Sequence, residues 1–474
     1  MPFTQLKQTL KTAAQDGSLA ADLIGEGAML PGPDGPKPLV YADYVASGRG
    51  LRQVEDFIVT EVLPYYANSH TEASYCGAHM TGLRRAARAE IARLTGATEE
   101  DAVIFAGSGA TAGLNRLVSL LGVNEARAPV VFIGPYEHHS NILPWRESKA
   151  VVVEIPEAPG GGVDLGVLQQ ALVEYAACDL KIGSFSAASN VTGVLTAPDP
   201  VSALLHEHGA LAVWDYAGGG PYLPIDMGGH GGARKDAIVL SPHKFPGGPG
   251  ASGVLIVNKK AVRRRAPSWP GGGTVSFVSP WAHSYSEDLA AREEAGTPNV
   301  IGDIRAALAF LVKEAVGAQR IAREEARFAQ MARAGWEGNP QLTLLGHASA
   351  PRLPIFSFTV RGVSGRPVHQ QLFTRMLSDF YGIQARGGCA CAGPYAHRLL
   401  GIDEAESRAL LSDLRAGQEL RKPGWVRLNF SYLMRDETAR YIIDSVNDLT
   451  RRAEGLAPRY EADPATARFR PRAA

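Results

Sequence analysis

The sequence predicts an α/β protein. A large domain is built on a mostly parallel seven-stranded sheet, and a smaller α+β domain follows it. Three observations carry this expectation. Short apolar runs alternate with amphipathic helical stretches through the first half of the chain, the pattern of a sheet covered on both faces. Polar residues collect at the C-terminal ends of those runs, where open α/β sheets bind ligands. Strands and helices then restart beyond residue 350, after a long helical stretch.

Composition bounds the answer. A chain of 474 residues exceeds one ordinary domain. Hydrophobic residues make up 45% and charged residues 20%, ordinary values for a globular protein. The 48 basic side chains balance 48 acidic ones, so nothing favours a nucleic-acid partner. No run of apolar residues is long enough for a membrane span, and the N-terminal residues carry no signal-peptide pattern. Cys76, Cys178, Cys389 and Cys391 are the only cysteines. A chain this long needs no staples, so a reducing cytoplasm is the expected setting. The expected organisation is an N-terminal helix and linker over 1–40 that packs on the small domain. A large domain over 41–315, a small domain over 316–458 and a frayed tail over 459–474 follow.

In order along the chain, an amphipathic helix is expected from Phe3 to about Leu23, then a turn-rich linker at Pro31–Pro36. Val40–Tyr44 is a short strand candidate, and a helix follows over 51–63. The polar loop Asn68–Ser74, with His70 in it, has the hydrogen-bonding groups of a site lining. A helix over 82–94 places Leu83, Ala87, Ile91 and Leu94 on one face.

The strand Ala102–Phe105 runs into Ala106-Gly107-Ser108-Gly109-Ala110-Thr111 and then a helix. Such a turn brings backbone N–H groups and the Thr111 hydroxyl to a phosphate. Its glycine spacing fits neither a dinucleotide fingerprint nor a P-loop. The strand Val130–Gly134 ends at Glu137-His138-His139-Ser140-Asn141. No third ligand accompanies the two histidines, so no metal is expected; an imidazole facing a cofactor ring is the better reading of the pair. Further strands are Val151–Ile155, Ile182–Ser186 and Leu211–Asp215, with helices over 165–176 and 199–208 between them. The last two strands, Ala237–Leu240 and Gly253–Val257, flank Ser241-Pro242-His243-Lys244-Phe245. An amine just past a buried strand is partly desolvated and can attack a carbonyl, as a Schiff-base lysine for pyridoxal phosphate (PLP) must. Beyond an irregular stretch over 267–298, one long helix is expected over about 300–334. The small domain has strands at Ile355–Val360 and over 425–430 and helices over 366–380 and 436–451.

Several stretches, in this order, resemble the class V aminotransferase family of fold-type I PLP enzymes, in its cysteine desulfurase and selenocysteine lyase-like branch. They are Glu137–Trp145, Ser189-Asn190-Val191-Thr192-Gly193, Ser241–Lys244, Ala295–Asn299 and Arg386-Gly387-Gly388-Cys389-Ala390-Cys391. The resemblance implies that Lys244 holds PLP as a Schiff base, His138 stacks on the ring and Asp215 pairs with the ring nitrogen. It places Asn190 at the phenolate oxygen or the substrate, and Ala110, Thr111, Ser241 and His243 around the phosphate. Thr297 would reach the phosphate of a neighbouring subunit, which implies a homodimer. Arg427 would clamp the substrate carboxylate, while His70 and Arg386 line the entrance. Cys391 matches the position of the persulfide cysteine, and Cys389 is a possible relay thiol. The implied reaction releases sulfur from L-cysteine, giving L-alanine and an enzyme persulfide for a sulfur-acceptor protein.

Three features depart from the family pattern. Gly218 stands where the family commonly has glutamine, Cys389 is additional, and the stretch between Ala392 and Arg427 is longer than usual. They leave open transamination, epimerisation or C–S or C–N lyase chemistry on another amino acid, or a binding module that keeps the cofactor.

Overall fold

A computed structural model describes residues 2–68 and 71–472. The chain divides into two compact units. The first comprises residues 1–24, 46–188 and 196–319, the second residues 25–45, 189–195 and 320–474.

The first unit holds the expected seven-stranded sheet. Its strands are β1 (Asp101–Gly107), β2 (Pro129–Ile133), β3 (Val151–Glu154), β4 (Leu180–Ser186), β5 (Leu211–Asp215), β6 (Ala237–Leu240) and β7 (Gly253–Asn258), in the order β1-β7-β6-β5-β4-β2-β3. All neighbours are parallel except β7, which runs antiparallel to both β1 and β6. Strands β2, β6 and β7 are buried along their whole length, as a double-covered sheet requires. Before β1 the chain forms α1 (Thr4–Asp16) and α2 (Tyr75–Leu94), between β1 and β2 it forms α3 (Gly109–Leu120), and after the sheet α4 (Val300–Val316). Leu114 and Leu117 of α3 share one core with Ile104, Val239 and Leu255.

Two expectations about the ends are corrected. Helix α1 belongs to the first unit and packs along α4, burying Leu6, Leu10 and Ala13; Phe3 sets its ring against Phe57 at 5.7 Å. Within the tail, the described residues to 472 are not frayed. Tyr460–Asp463 and Arg468–Pro471 pair as an antiparallel hairpin, anchored by Tyr460, whose hydroxyl donates to Asp379 Oδ2 at 2.8 Å. The long helix expected over 300–334 is two helices, α4 and α5 (Ala318–Trp336), parted at Gly317, whose φ of 84° no helix interior allows.

The second unit is built on a five-stranded antiparallel sheet: β8 (Leu342–Leu344), β9 (Ile355–Arg361), β10 (Arg386–Gly388) and β11 (Trp425–Asn429) run in the order β8-β9-β11-β10, and the short strand Pro367–Val368 pairs with the end of β9. Helices α5, α6 (Gln370–Tyr381) and α7 (Asp436–Leu456) share its core with Phe356, Phe358 and Phe430. Trp336 packs edge-on to Phe356 at 5.3 Å. The stretch between Ala392 and Arg427 contributes helices at Gly393–Leu400 and Glu404–Arg415. No described helix is long and apolar enough to cross a membrane.

Candidate active site

In the first unit, the ends of four strands carry Ala110, Thr111, His138, Asp215, Ser241, His243 and Lys244, seven of the residues expected at the cofactor, to one edge of the sheet. After β1 the chain turns through Gly107 (φ 85°) and Gly109 (φ 62°), left-handed positions that favour glycine. A Cβ at Gly109 would lie 2.9 Å from Ser241 Oγ and 3.2 Å from His243 Cε1, so the close approach of α3 to the Lys244 loop depends on that glycine. Ser241 Oγ accepts the Ala110 N–H at 2.9 Å. Thr111 Oγ1 lies 2.7 Å from Ser140 Oγ. Ala110, Thr111, Ser140, Ser241 and His243 therefore converge at the N-terminus of a helix, where donor groups and dipole suit a phosphate. Burial, then the charge of Lys244, pushes His243 down to about 4, so at neutral pH its imidazole is uncharged.

His138 follows β2. Its Nδ1 accepts the Ser140 N–H at 3.1 Å, which leaves the proton of the neutral ring on Nε2. Asp215 ends β5 almost fully buried; its Oδ1 accepts the Ala217 N–H at 2.7 Å. Burial raises its pKa, and the Ala217 N–H and Lys244 oppose that rise. A cation beside it, such as a protonated ring nitrogen, would hold it ionised. Lys244 closes a short 3-10 turn, Pro242–Lys244, whose carbonyl at His243 accepts the Gly48 N–H at 2.9 Å. The amine, the carboxylate, the ring and the anion cradle are thus the donor set that PLP requires, and they fit that group.

Two supports escaped the sequence reading. Glu137 is buried beside His138. Its Oε1 accepts the Ser186 N–H at 2.9 Å, and its Oε2 pairs with Ser186 Oγ at 2.6 Å and Asn141 Nδ2 at 2.5 Å. Asn141 Oδ1 in turn accepts the Trp145 Nε1–H at 3.1 Å, which fixes the orientation of its amide. Burial and the nearby Asp215 push Glu137 up to about 7, against the hydrogen bonds from Ser186 and Asn141. Ser186 is the register partner of Asp215, so this network braces the strand pair that presents Asp215. The second support is Lys313 of α4. Its Nζ donates to the carbonyls of Gly220, at 2.7 Å, and Leu223, and lies 5.7 Å from the Phe245 ring centroid. It ties the turn after Asp215 to the residue after Lys244. Glu137 stood inside a motif already singled out for its histidines; Lys313 carried no sequence signal.

Thr297 is exposed just before α4. Asn299, not Thr297, caps that helix, its side chain accepting the Gly302 N–H at 3.1 Å. Thr297 lines a cleft of about 600 Å³ with Gly107, Thr111, Asn115, Arg116 and Trp269. The carboxylate of Glu294 lies under it, accepting the Phe105 N–H at 2.7 Å and a two-pronged pair from Arg88 at 2.8 and 2.9 Å.

The second unit holds three of the residues expected at the substrate, Asn190, Arg386 and Arg427. Arg386 of β10 and Arg427 of β11 are register partners. Asp43 stands between them: Arg427 Nη2 donates to Oδ1 at 2.8 Å, and Arg386 Nε to Oδ2 at 3.0 Å. Asp43, in a strand candidate that offered no hint of this role, is the third residue missed. Arg427 Nη1 also donates to the Asn190 carbonyl at 3.0 Å, and Asn190 Nδ2 to the Ala390 carbonyl at 2.9 Å. Among the described residues, the buried Arg427 Nε and Asn190 Oδ1 have no hydrogen-bond partner. One free donor and one free acceptor suit a small zwitterion. Burial lowers the Arg427 pKa, while Asp43 and Cys391 raise it and Arg386 lowers it further. Ala390 (φ 53°) and Cys391 (φ 55°) are non-glycine residues in the left-handed region, strain that tends to mark functional loops. Cys391 is exposed and Cys389 half-buried, both unbridged. His70 lies outside the described residues.

Comparison with known proteins gives this geometry its context. The family model described as Aminotransferase class-V matches residues 40–417. A protein named "Cysteine desulfurase" from Escherichia coli O7:K1 is 30% identical over 363 residues, 75% of this chain and 85% of the relative. A "Probable cysteine desulfurase" from Vibrio cholerae serotype O1 is 30% identical over 369 residues with the same coverage. Among solved structures, the apo cysteine desulfurase of Thermococcus onnurineus NA1 superposes with a TM-score of 0.72 at 23% identity, covering 88% of this chain and 95% of that one. The S-sulfonic acid form of Escherichia coli CsdA gives 0.68 at 21%, covering 86% and 94%; these two show the fold. The chain belongs to the class V aminotransferase family, in the cysteine desulfurase branch of the fold-type I PLP enzymes.

Proposed function

We propose that the chain is a PLP-dependent cysteine desulfurase that takes sulfur from L-cysteine and releases L-alanine. The observation that carries the reading is the cluster around Cys391. An exposed thiol sits on a strained loop within electrostatic reach of the buried Arg427 guanidinium.

When bound, PLP supplies an electron sink that weakens the bonds at Cα and Cβ of the amino acid. The chain's own residues do the rest. Lys244 would anchor the cofactor and move the Cα proton. His138 would lie against its ring, and Asp215 would keep the ring nitrogen protonated. Ala110, Thr111, Ser241 and His243 would hold the phosphate. Arg427 takes the substrate carboxylate as a fork, with Asn190 beside it and His70 and Arg386 at the entrance. The Cys391 thiolate then forms an S–S bond to the substrate sulfur as the Cβ–S bond breaks. The electron pair stays with carbon, and protonation there gives alanine. Cys389 would relay the persulfide to an acceptor protein. Thr297 would serve the phosphate of a second copy in a homodimer, with sedimentation at twice the chain mass as the check. The four unbridged cysteines are in keeping with a cytoplasmic setting.

A second reading, another amino acid as substrate, is favoured by Gly218, which presents no side chain in the turn after Asp215. A screen of amino acids with product identification separates the two. Alanine formed from L-cysteine supports the first. Ketoacid or ammonia from a different amino acid, with none from L-cysteine, overturns it. In either case Lys244→Ala should lose the visible absorption of the loaded protein.

A further inference from the structure

Arg386 and Arg427 are cross-strand partners, so their side chains project from the same face of an antiparallel pair. Like charges placed this way repel, and one of the two is buried: Arg427 is 3% exposed. The arrangement persists because Asp43 offers one carboxylate oxygen to each arginine. Asp43 is itself 8% exposed. Its segment is held by backbone contacts on either side, the Asn429 N–H donating to the Ala42 carbonyl at 2.8 Å and the Val45 N–H to Asn429 Oδ1 at 3.0 Å. The carboxylate is therefore a fixed part of the site, not a mobile side chain that happens to touch it.

The charge count follows. Two guanidinium groups and one carboxylate leave a single net positive charge, and the buried Arg427 Nε has no hydrogen-bond partner among the described residues. We propose that Asp43 is a specificity-determining residue: by cancelling one of the two arginine charges, it matches the site to an amino acid with one carboxylate and a neutral side chain, and disfavours one with a second anionic group. This rests on the reading of Arg427 as the carboxylate clamp. An uncancelled second arginine would welcome an acidic side chain, and discrimination of this kind comes from the charge that is withheld.

The test uses the PLP-loaded protein and two probes that differ in one charge, L-alanine and L-aspartate. Each is titrated at equilibrium by calorimetry and by the cofactor absorption. Asp43→Asn should shift the ratio of affinities toward L-aspartate by about tenfold, the scale of one added charge at a partly screened site. The shift should shrink as salt is added, since Arg386 is half exposed. Asp43→Glu should keep the parent ratio, and Asp43→Asn with Arg386→Gln should return to it. Arg386→Gln alone, a change at an exposed side chain, should move the ratio the other way. An unchanged ratio in both Asp43→Asn and Arg386→Gln would overturn the proposal, as would a double variant that keeps the single variant's ratio. Should Asp43→Asn not fold, an unchanged ratio in Arg386→Gln is sufficient to overturn it. Undiminished L-alanine binding in Arg427→Ala would refute the clamp itself, and the proposal with it; failure of L-cysteine turnover alone would leave the charge ratios standing.

Discussion

Arg427 and Asp43 form a buried ion pair at 2.8 Å, 384 residues apart in sequence. Breaking such a pair leaves a charge with no compensation, which costs far more than an exposed pair is worth. Asp43→Ala should therefore lose about 3 kcal/mol of stability, read as a fall in the denaturant midpoint at constant slope. Asp43→Asn, whose single amide oxygen can still accept from the buried Arg427 but no longer from Arg386 as well, should lose less.

Glu137 sets a pH dependence. Burial raises it from the ordinary carboxyl value of 4.5 to about 7. Between those values the folded protein holds a proton that the unfolded chain has released. Its contribution to stability is full below about pH 4.5 and is lost as the pH rises toward 7, by about 3 kcal/mol at the upper bound. Denaturation midpoints measured across that window should slope downward in the parent, and Glu137→Gln should flatten this component. A variant with the parent's slope would place the titration elsewhere.

Lys313 has a structural rather than a chemical task. Its amine satisfies two carbonyls of the turn after Asp215, and burial pushes it down to about 7. Lys313→Met keeps the apolar stem and orphans both carbonyls. It should cost about 2 kcal/mol and weaken PLP retention, measured as faster loss of visible absorption on dialysis. A variant with parent stability and retention would contradict that bracing role.

Much of this was legible in the chain. The seven strands were visible as apolar runs, because a strand buried on both faces needs little but apolar residues. Lys244, Asp215, His138 and the Gly107–Thr111 turn were found because each follows a strand end. What was missed depends on partners distant in sequence. Asp43 is one carboxylate in a short strand until Arg386 and Arg427 fold onto it. Glu137 is a polar loop residue until Ser186 and Asn141 bury it. The break at Gly317 and the tail hairpin fell to the same limit: periodicity reports which face is apolar, not where the chain stops or what covers it. The antiparallel course of β7 likewise leaves no trace in its composition.

Cys391 is the proposed acceptor of the sulfur. The most direct measurement is mass spectrometry of the loaded protein after one turnover with L-cysteine, with alanine quantified in the same sample. One sulfur atom should map to Cys391, with one alanine per site. Cys391→Ala should form no persulfide and no alanine, and Cys389→Ala should still complete this first half-reaction. Alanine formed at the parent rate in Cys391→Ala, or sulfur found only on Cys389, would contradict the account.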